Sequence, residues 1–301
     1  MATPRMPRAG AALALLAIAG CATQSPREPA FELEGDASVL LPGVVSSDYS
    51  EIRAAVSADG NTVLWGSTNR PGGAGGWDIW MSRREGSGWS APVAVSFDSP
   101  QNEFDPAFTP DGRTLWFFSN RSGGLGGDDL WSVAFDPRSA TFGVPVNAGA
   151  SINSAGDEWA PTPSPDGRAL LFATNGRGGA GRHDLFLSAW QGGAWQSAQP
   201  LAGEVNGPGD DFDAAFVDDG RVLVFARSED VEHAPIALWS AVREGGRYMH
   251  PQRLDTRVNV DGGWILGPSD DRAHPGTLLF SGVRAGGQGL ADIHSIHYRV
   301  R

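Results

Sequence analysis

Carboxylates recur along this chain at one spacing and carry most of its capacity for chemistry. Glu51, Glu103, Glu158 and Asp211 each stand eight residues before an Asp-Gly pair, at Asp59-Gly60, Asp111-Gly112, Asp166-Gly167 and Asp219-Gly220. Two residues beyond each acid the residue type varies. Arg53, Asp105 and Asp213 share that position, with Ala160 and Ile265 as the remaining two equivalents. An Arg among carboxylates can hold a polar or carboxylate-bearing ligand through forked hydrogen bonds. Carboxylates alone could hold a divalent cation such as Ca2+, which takes roughly six to eight oxygen ligands. Two carboxyls in different electrostatic settings could also act as acid and base on a glycosidic bond, with Asp105 and Asp213, alongside Glu158, as the candidates. A second polar set, Asn69-Arg70, Asn120-Arg121, Asn175 and Arg177, falls in the loops that follow.

Repetition itself weighs against chemistry at most of these positions. An acid present in nearly every repeat more simply accepts hydrogen bonds from its own loop, or pairs with the loop's Arg, and so keeps that loop ordered. Glu103, Glu158, Asp78, Asp129 and Asp184 are expected to do so. Ligand binding is expected where the symmetry breaks, at Arg53, Asp105 and Asp213, with Glu51, Glu103, Glu158, Asp211, Arg70 and Arg121 around them. The glycine loops lack the Lys-Ser/Thr and following helix of a phosphate-binding loop. No Gly-x-Ser-x-Gly or His-Glu-x-x-His motif occurs,. His183 and His233 have no second ligand at metal spacing, and His294 takes a strand slot usually held by Trp or Phe.

The elements that must position these residues repeat with them. Counting a degenerate Asp271-Arg272, the turn markers are 52, 55, 53 and 52 residues apart. Each repeat reads as a short strand, a turn such as Thr109-Pro110-Asp111-Gly112, and an apolar β-rich run such as Leu115-Trp-Phe-Phe118. Pro presets its backbone angle in that turn and Gly accepts positive φ. A glycine-rich loop, a third strand opening with Asp78-Ile-Trp80 or Asp129-Leu-Trp131, and a short fourth strand complete the unit. Bulky apolar residues, Ile52, Phe104, Trp159, Phe212 and Trp264, follow the acid position in all five. Four short strands per unit with an aromatic at a fixed place predict an all-β chain, a five-bladed β-propeller of four-stranded antiparallel sheets. The repeats span about 48–101, 102–156, 157–209, 210–261 and 262–301. Residues 31–47 are expected to supply the missing outer strand of the last blade, with Val39-Leu-Leu-Pro-Gly43 matching Gln199-Pro-Leu-Ala-Gly203. Such closure also removes an exposed sheet edge.

Ser164-Pro-Asp-Gly-Arg168, Leu170-Leu-Phe172, Ser119-Asn-Arg121 and Asp129-Leu-Trp131 resemble the WD40-like repeat of Tol-B-type propellers, over about residues 48–301. The resemblance implies an envelope protein whose propeller binds a protein or cell-wall ligand without catalysis. It departs from the family in the fourth repeat, where Ser228-Glu-Asp-Val-Glu-His-Ala-Pro235 has lost its glycines and Ala237 replaces the usual Asp. The family's namesake is also larger, with six blades and an extra domain. An enzyme resembling the five-bladed glycoside hydrolases is the alternative, although that family's catalytic motifs are not recognisable here.

The first residues, MATPRMPRAGAALALLAIAGC, set Arg5 and Arg8 before an apolar run too short to span a bilayer,. Ile18-Ala19-Gly20-Cys21 resembles a lipoprotein lipobox. Residues 1–20 are then a signal peptide, Cys21 is the lipidated residue that ties the chain to a membrane, and residues 21–30 are a tether. Cys21 is the only cysteine, so no internal disulfide competes for it,. Ala22 rather than Asp after it implies an outer-membrane anchor facing the periplasm. The formal net charge of −12, reached without a single lysine, opposes binding to nucleic acid,.

Overall fold

The computed structural model describes residues 1–2 and 30–301. The signal peptide, Cys21 and most of the tether lie outside the described residues. Five antiparallel sheets follow one another along the chain. Their inner strands are Ser50–Val56, Glu103–Phe108, Glu158–Pro163, Asp210–Val217 and Ile265–Asp270. Each inner strand packs on its neighbours around a ring, and the fifth returns to the first. The protein is a five-bladed β-propeller.

The apolar run of each repeat forms the second strand, buried on both faces. Trp65, Phe117, Phe172, Phe225 and Phe280 occupy one register position there and are all fully buried. Burying each such side chain stabilises the ring by roughly 1.5–3 kcal/mol. The outer strand is broken into two short pieces in blades 1 to 3, such as Gly88–Trp89 and Val93–Ala94, and is continuous, Arg247–Arg253, in blade 4.

Blade 5 takes its outer strand from the other end of the chain. Phe31–Val39 runs antiparallel to Asp292–Val300, with Phe31 opposite Val300 and Val39 opposite His294. The Leu40 N–H donates to the Ile293 carbonyl as the Leu201 N–H donates to Leu185. Leu40 therefore stands where Leu201 stands, one residue from the expected match of Val39 with Gln199.

Blade 5 corrects the repeat in a second place. Every inner strand carries a bulge, with register shifts after Ile52, Phe104, Trp159, Phe212 and Leu266. The residue just past each shift adopts positive φ: Arg53 at 51°, Asp105 at 51°, Ala160 at 52°, Asp213 at 46° and Gly267 at 60°. The fifth member of that ring is thus Gly267, not Ile265, and Leu266, not Trp264, completes the apolar ring. Asp271 is not a remnant of Asp-Gly. It holds the turn-opening place of Ser57, its N–H donating to the Thr277 carbonyl as the Ser57 N–H donates to Thr62, and its carboxylate caps the Ala273 and His274 amides. That turn runs from 271 to 277, one residue longer than 57 to 62, and because Asp271 stands at the Ser57 place, two before that of Asp59, counting back from it misplaces the strand by two.

Candidate functional site

The recurring acids sit at the start of the inner strands, on the face where blades are joined, and they are turned into the protein. Glu103, fully buried, accepts hydrogen bonds from Ser99 N–H at 2.7 Å and from the Ser99 and Ser119 hydroxyls, and pairs with Arg121 at 2.8 Å. Glu158 receives the Ser154 amide and the Thr174 hydroxyl, Glu51 the Ser47 amide and hydroxyl, and Asp211 the Gly207 amide and Arg227. Burial raises the Glu51, Glu158 and Asp211 carboxyls above their ordinary range, against those hydrogen bonds. The loop arginines lie across the aromatic of the third strand, Arg70 over Trp80 at 4.9 Å and Arg121 over Trp131 at 5.5 Å. Asp78, Asp129 and Asp184 likewise accept amides of their glycine loops. Gly73, Gly124 and Gly179 make this possible, since a Cβ at any of them would overlap the carboxylate,. Six of the nine residues singled out by sequence, Glu51, Glu103, Glu158, Asp211, Arg70 and Arg121, thus form the frame behind the mouth.

The other three meet on the axis. The bulge turns Arg53, Asp105 and Asp213 inward, where all three are buried. The Asp105 and Asp213 carboxyls lie close enough for each to alter the other's proton affinity. Burial, then the Asp213 charge, pushes Asp105 well above the usual carboxylate range, with Arg53 opposing. Burial also raises Asp213, against Arg53 and the Gly267 N–H, which donates to its Oδ2 at 2.9 Å. Two carboxyls this close resist ionising together. Arg53 reaches across the ring to Thr162 Oγ1 at 2.6 Å, and that hydroxyl donates to the Ala214 carbonyl. Fully enclosed, this group plugs the channel.

The plug separates two spaces. Beyond Arg53 is a cavity of about 50 Å3 bordered by Thr162, Ser269, Asp270 and Arg272. On the loop face is a mouth of about 290 Å3 with Asp105 and Asp213 as its floor. Its walls are Trp77, Phe104, Phe118, Trp159 and Phe212. Trp77 and Phe104 meet edge to face at 4.4 Å, and Trp159 stacks on His183 at 3.9 Å. Trp159 Nε1–H donates to Asp128 at 2.9 Å, and burial raises that carboxyl despite the bond. His183 Nδ1 lies 2.7 Å from Asp210, and His294 stacks on Phe280, so both are packing groups, while His233 is exposed beside Asp230. Trp77, Phe118 and Asp128 were not expected from sequence, because nothing in a glycine loop shows which of its flanks leans over the axis.

A further carboxylate escaped the sequence reading despite a visible signal. The position five residues before each acid carries Ser46, Asp98, Asn153 and Asn206 in blades 1 to 4 of that count. Asn153 receives the Leu130 N–H and donates to the Leu130 carbonyl; Asn206 and Asn259 do the same at Leu185 and Leu238. Asp98 receives the Ile79 N–H at 3.3 Å but has no amide to return. Asp78, Asp98 and Glu103 each place an oxygen within 4.8 Å of the others, the set among the described residues that could approach a cation.

The fold that carries this mouth is a five-bladed β-propeller. No family model and no curated protein matches the chain. Among solved structures, a protein described as TolB from Agrobacterium tumefaciens is 18% identical, with 79% of this chain and 72% of that one covered at a TM-score of 0.48. TolB from Acinetobacter baumannii is 14% identical over 84% and 56%, also at 0.48. A protein described as an exo-β-1,3-galactanase from Bifidobacterium bifidum is 11% identical over 88% and 93%, at 0.52. At these identities the likeness is one of fold.

Proposed function

We propose that this chain is a non-catalytic binding module of the cell envelope, anchored through lipid on Cys21, that receives a protein or cell-wall ligand at the aromatic mouth of its propeller. One observation carries the reading. Asp105 and Asp213, the acids that would have to perform hydrolysis, are buried against each other at the floor of the mouth. Glycoside hydrolysis needs its two carboxyls about 5–5.5 Å apart for retention or ~6.5–9.5 Å for inversion. Asp128, the remaining acid of the mouth, accepts the Trp159 indole N–H, and Glu158, behind the mouth, is occupied by a loop amide and hydroxyls. What is left facing solvent is apolar wall over a small polar floor, the usual build of a ligand pocket on a rigid frame.

In this reading residues 1–20 are removed, 21–30 tether the domain to the outer membrane, and the propeller faces the periplasm. Nucleic acid is not a ligand at this net charge,. Crosslinking of the tethered protein in its native envelope, followed by identification of what is recovered, tests the binding role. Recovery of a defined protein or wall fragment that is lost in Trp159→Ala is expected. Release of sugar from a glycan panel, abolished in Asp105→Ala and accompanied by no recovered partner, would establish the hydrolase reading instead. Incorporation of labelled palmitate into the wild type but not Cys21→Ser tests the anchor.

A further inference from the structure

The residues bordering the mouth have a one-sided chemistry. They include three carboxyls, Asp105, Asp128 and Asp213, and five aromatic rings, but no Arg or His. Asp105 Oδ1 is buried and has no hydrogen-bond partner, in a residue 1% exposed that forms part of the cavity floor. The floor carries two carboxyls against one guanidinium, Arg53, which lies beneath them and outside the cavity's border. One positive charge is therefore missing from a balanced floor, and burial of the two neighbouring acids favours a proton on the pair.

We propose that the mouth binds a primary ammonium group, seated on Asp105 and Asp213 and boxed by Trp77, Phe104, Trp159 and Phe212. This deepens the binding reading above and rests on it. The ammonium N–H donates to the unpartnered Asp105 Oδ1. The proton on the pair leaves to solvent, both acids become carboxylates, and with Arg53 the floor is neutral. Aromatic faces carry negative quadrupole and attract a desolvated cation. Asp128 at the rim, fixed by Trp159, adds attraction at the entrance. A divalent ion fits less well, because Ca2+ takes roughly six to eight oxygens and these walls offer carbon. An anion would meet three carboxyls and no compensating base.

The groups facing the Asp105 carboxyl are Asp213, Arg53 and Asp128. Exchange of a proton for the ligand makes affinity rise with pH, up to the point where the pair is already ionised. The test uses the mature protein, tryptophan fluorescence and calorimetry, with n-butylammonium against n-butanol, and glucosamine against N-acetylglucosamine. At least tenfold preference for the charged member of each pair is expected, with proton release measured as a buffer-dependent heat. Asp105→Asn should lose at least tenfold, and Asp128→Asn, at the rim, about threefold without disturbing the fold. Which of butylammonium and glucosamine binds more tightly separates a lysine-like from an amino-sugar source.

Equal affinity for charged and neutral members, or no saturable binding of either ammonium at millimolar concentration, overturns the inference. So does unaltered affinity in both variants. A partner still recovered by crosslinking in that event leaves the binding module standing, whereas sugar release with no partner removes the binding reading itself.

Discussion

Asp98→Asn should make the protein more stable, and the structure says by how much and at which pH. Asp98 occupies the slot that asparagine fills in three other blades, with its Oδ2 buried and unpartnered. Burial first, then the Glu103 and Asp78 charges, raises its carboxyl from 3.8 to about 9, against the Ile79 N–H and Arg121. The folded protein thus holds a proton that the unfolded chain releases above its ordinary value. Stability from this group is intact near pH 4 and falls as pH rises toward 9. At ~1.4 kcal/mol per unit, the interval between the ordinary value and pH 7 gives an upper bound of ~4 kcal/mol. Partial exposure and local relaxation bring the expected cost nearer ~1–2 kcal/mol. Asparagine abolishes that cost and supplies the missing N–H donor. Melting should therefore rise by ~2–4 °C at pH 7 for a chain of this size, with urea denaturation giving the same sign and the gap closing toward pH 4. A variant less stable than wild type at pH 7, or a gap independent of pH, would refute the reasoning. Ca2+ that raises the wild-type melting temperature but not that of Asp98→Asn would show instead that Asp78, Asp98 and Glu103 hold a cation.

Arg121→Ala leaves Glu103 buried without its 2.8 Å partner and uncovers Trp131, and should cost ~3 kcal/mol in chemical denaturation, with Arg121→Lys recovering only part,. Gly267→Ala puts a Cβ 3.2 Å from Arg53 Cβ and should cost ~1–3 kcal/mol, although four other residues already accept the same backbone angle,. Deleting residues 31–39 exposes the Asp292–Val300 edge and should convert a monodisperse species into aggregates by size-exclusion chromatography with light scattering; an unaltered elution profile would mean that the ring does not depend on this strand,.

The parts of this fold that were legible in the sequence are those that every blade must repeat. A closed ring buries the second strand of each sheet on both faces, so Leu115-Trp-Phe-Phe118 and its four counterparts had to be apolar, and their spacing gives the blade number. The turns had to supply positive φ, which marks them with glycine. The frame acids were legible too, as repeated carboxylates opposite repeated glycine loops. Blade 5 hides its register because it lacks the acid and its Asp271 opens the turn where Ser57 does, a false marker two residues early, with the true equivalent visible only as the bulge at Gly267.

The bulge also explains why the plug was found but not its consequence. Period-two alternation predicts that residues two beyond the acid face the same side as the acid. The acid, however, turns into the loops, and the positive φ at Arg53, Asp105 and Asp213 re-aims those side chains onto the axis. Five such residues converge on a point too narrow for five large groups. Ala160 and Gly267 are the small members that leave room for one Arg and two acids, and Gly267 gives its N–H to Asp213 as well. Position could be read from the repeat, but proximity could not. Only the convergence places Asp105 against Asp213 and leaves one of its oxygens unpartnered beneath a ring of aromatic residues.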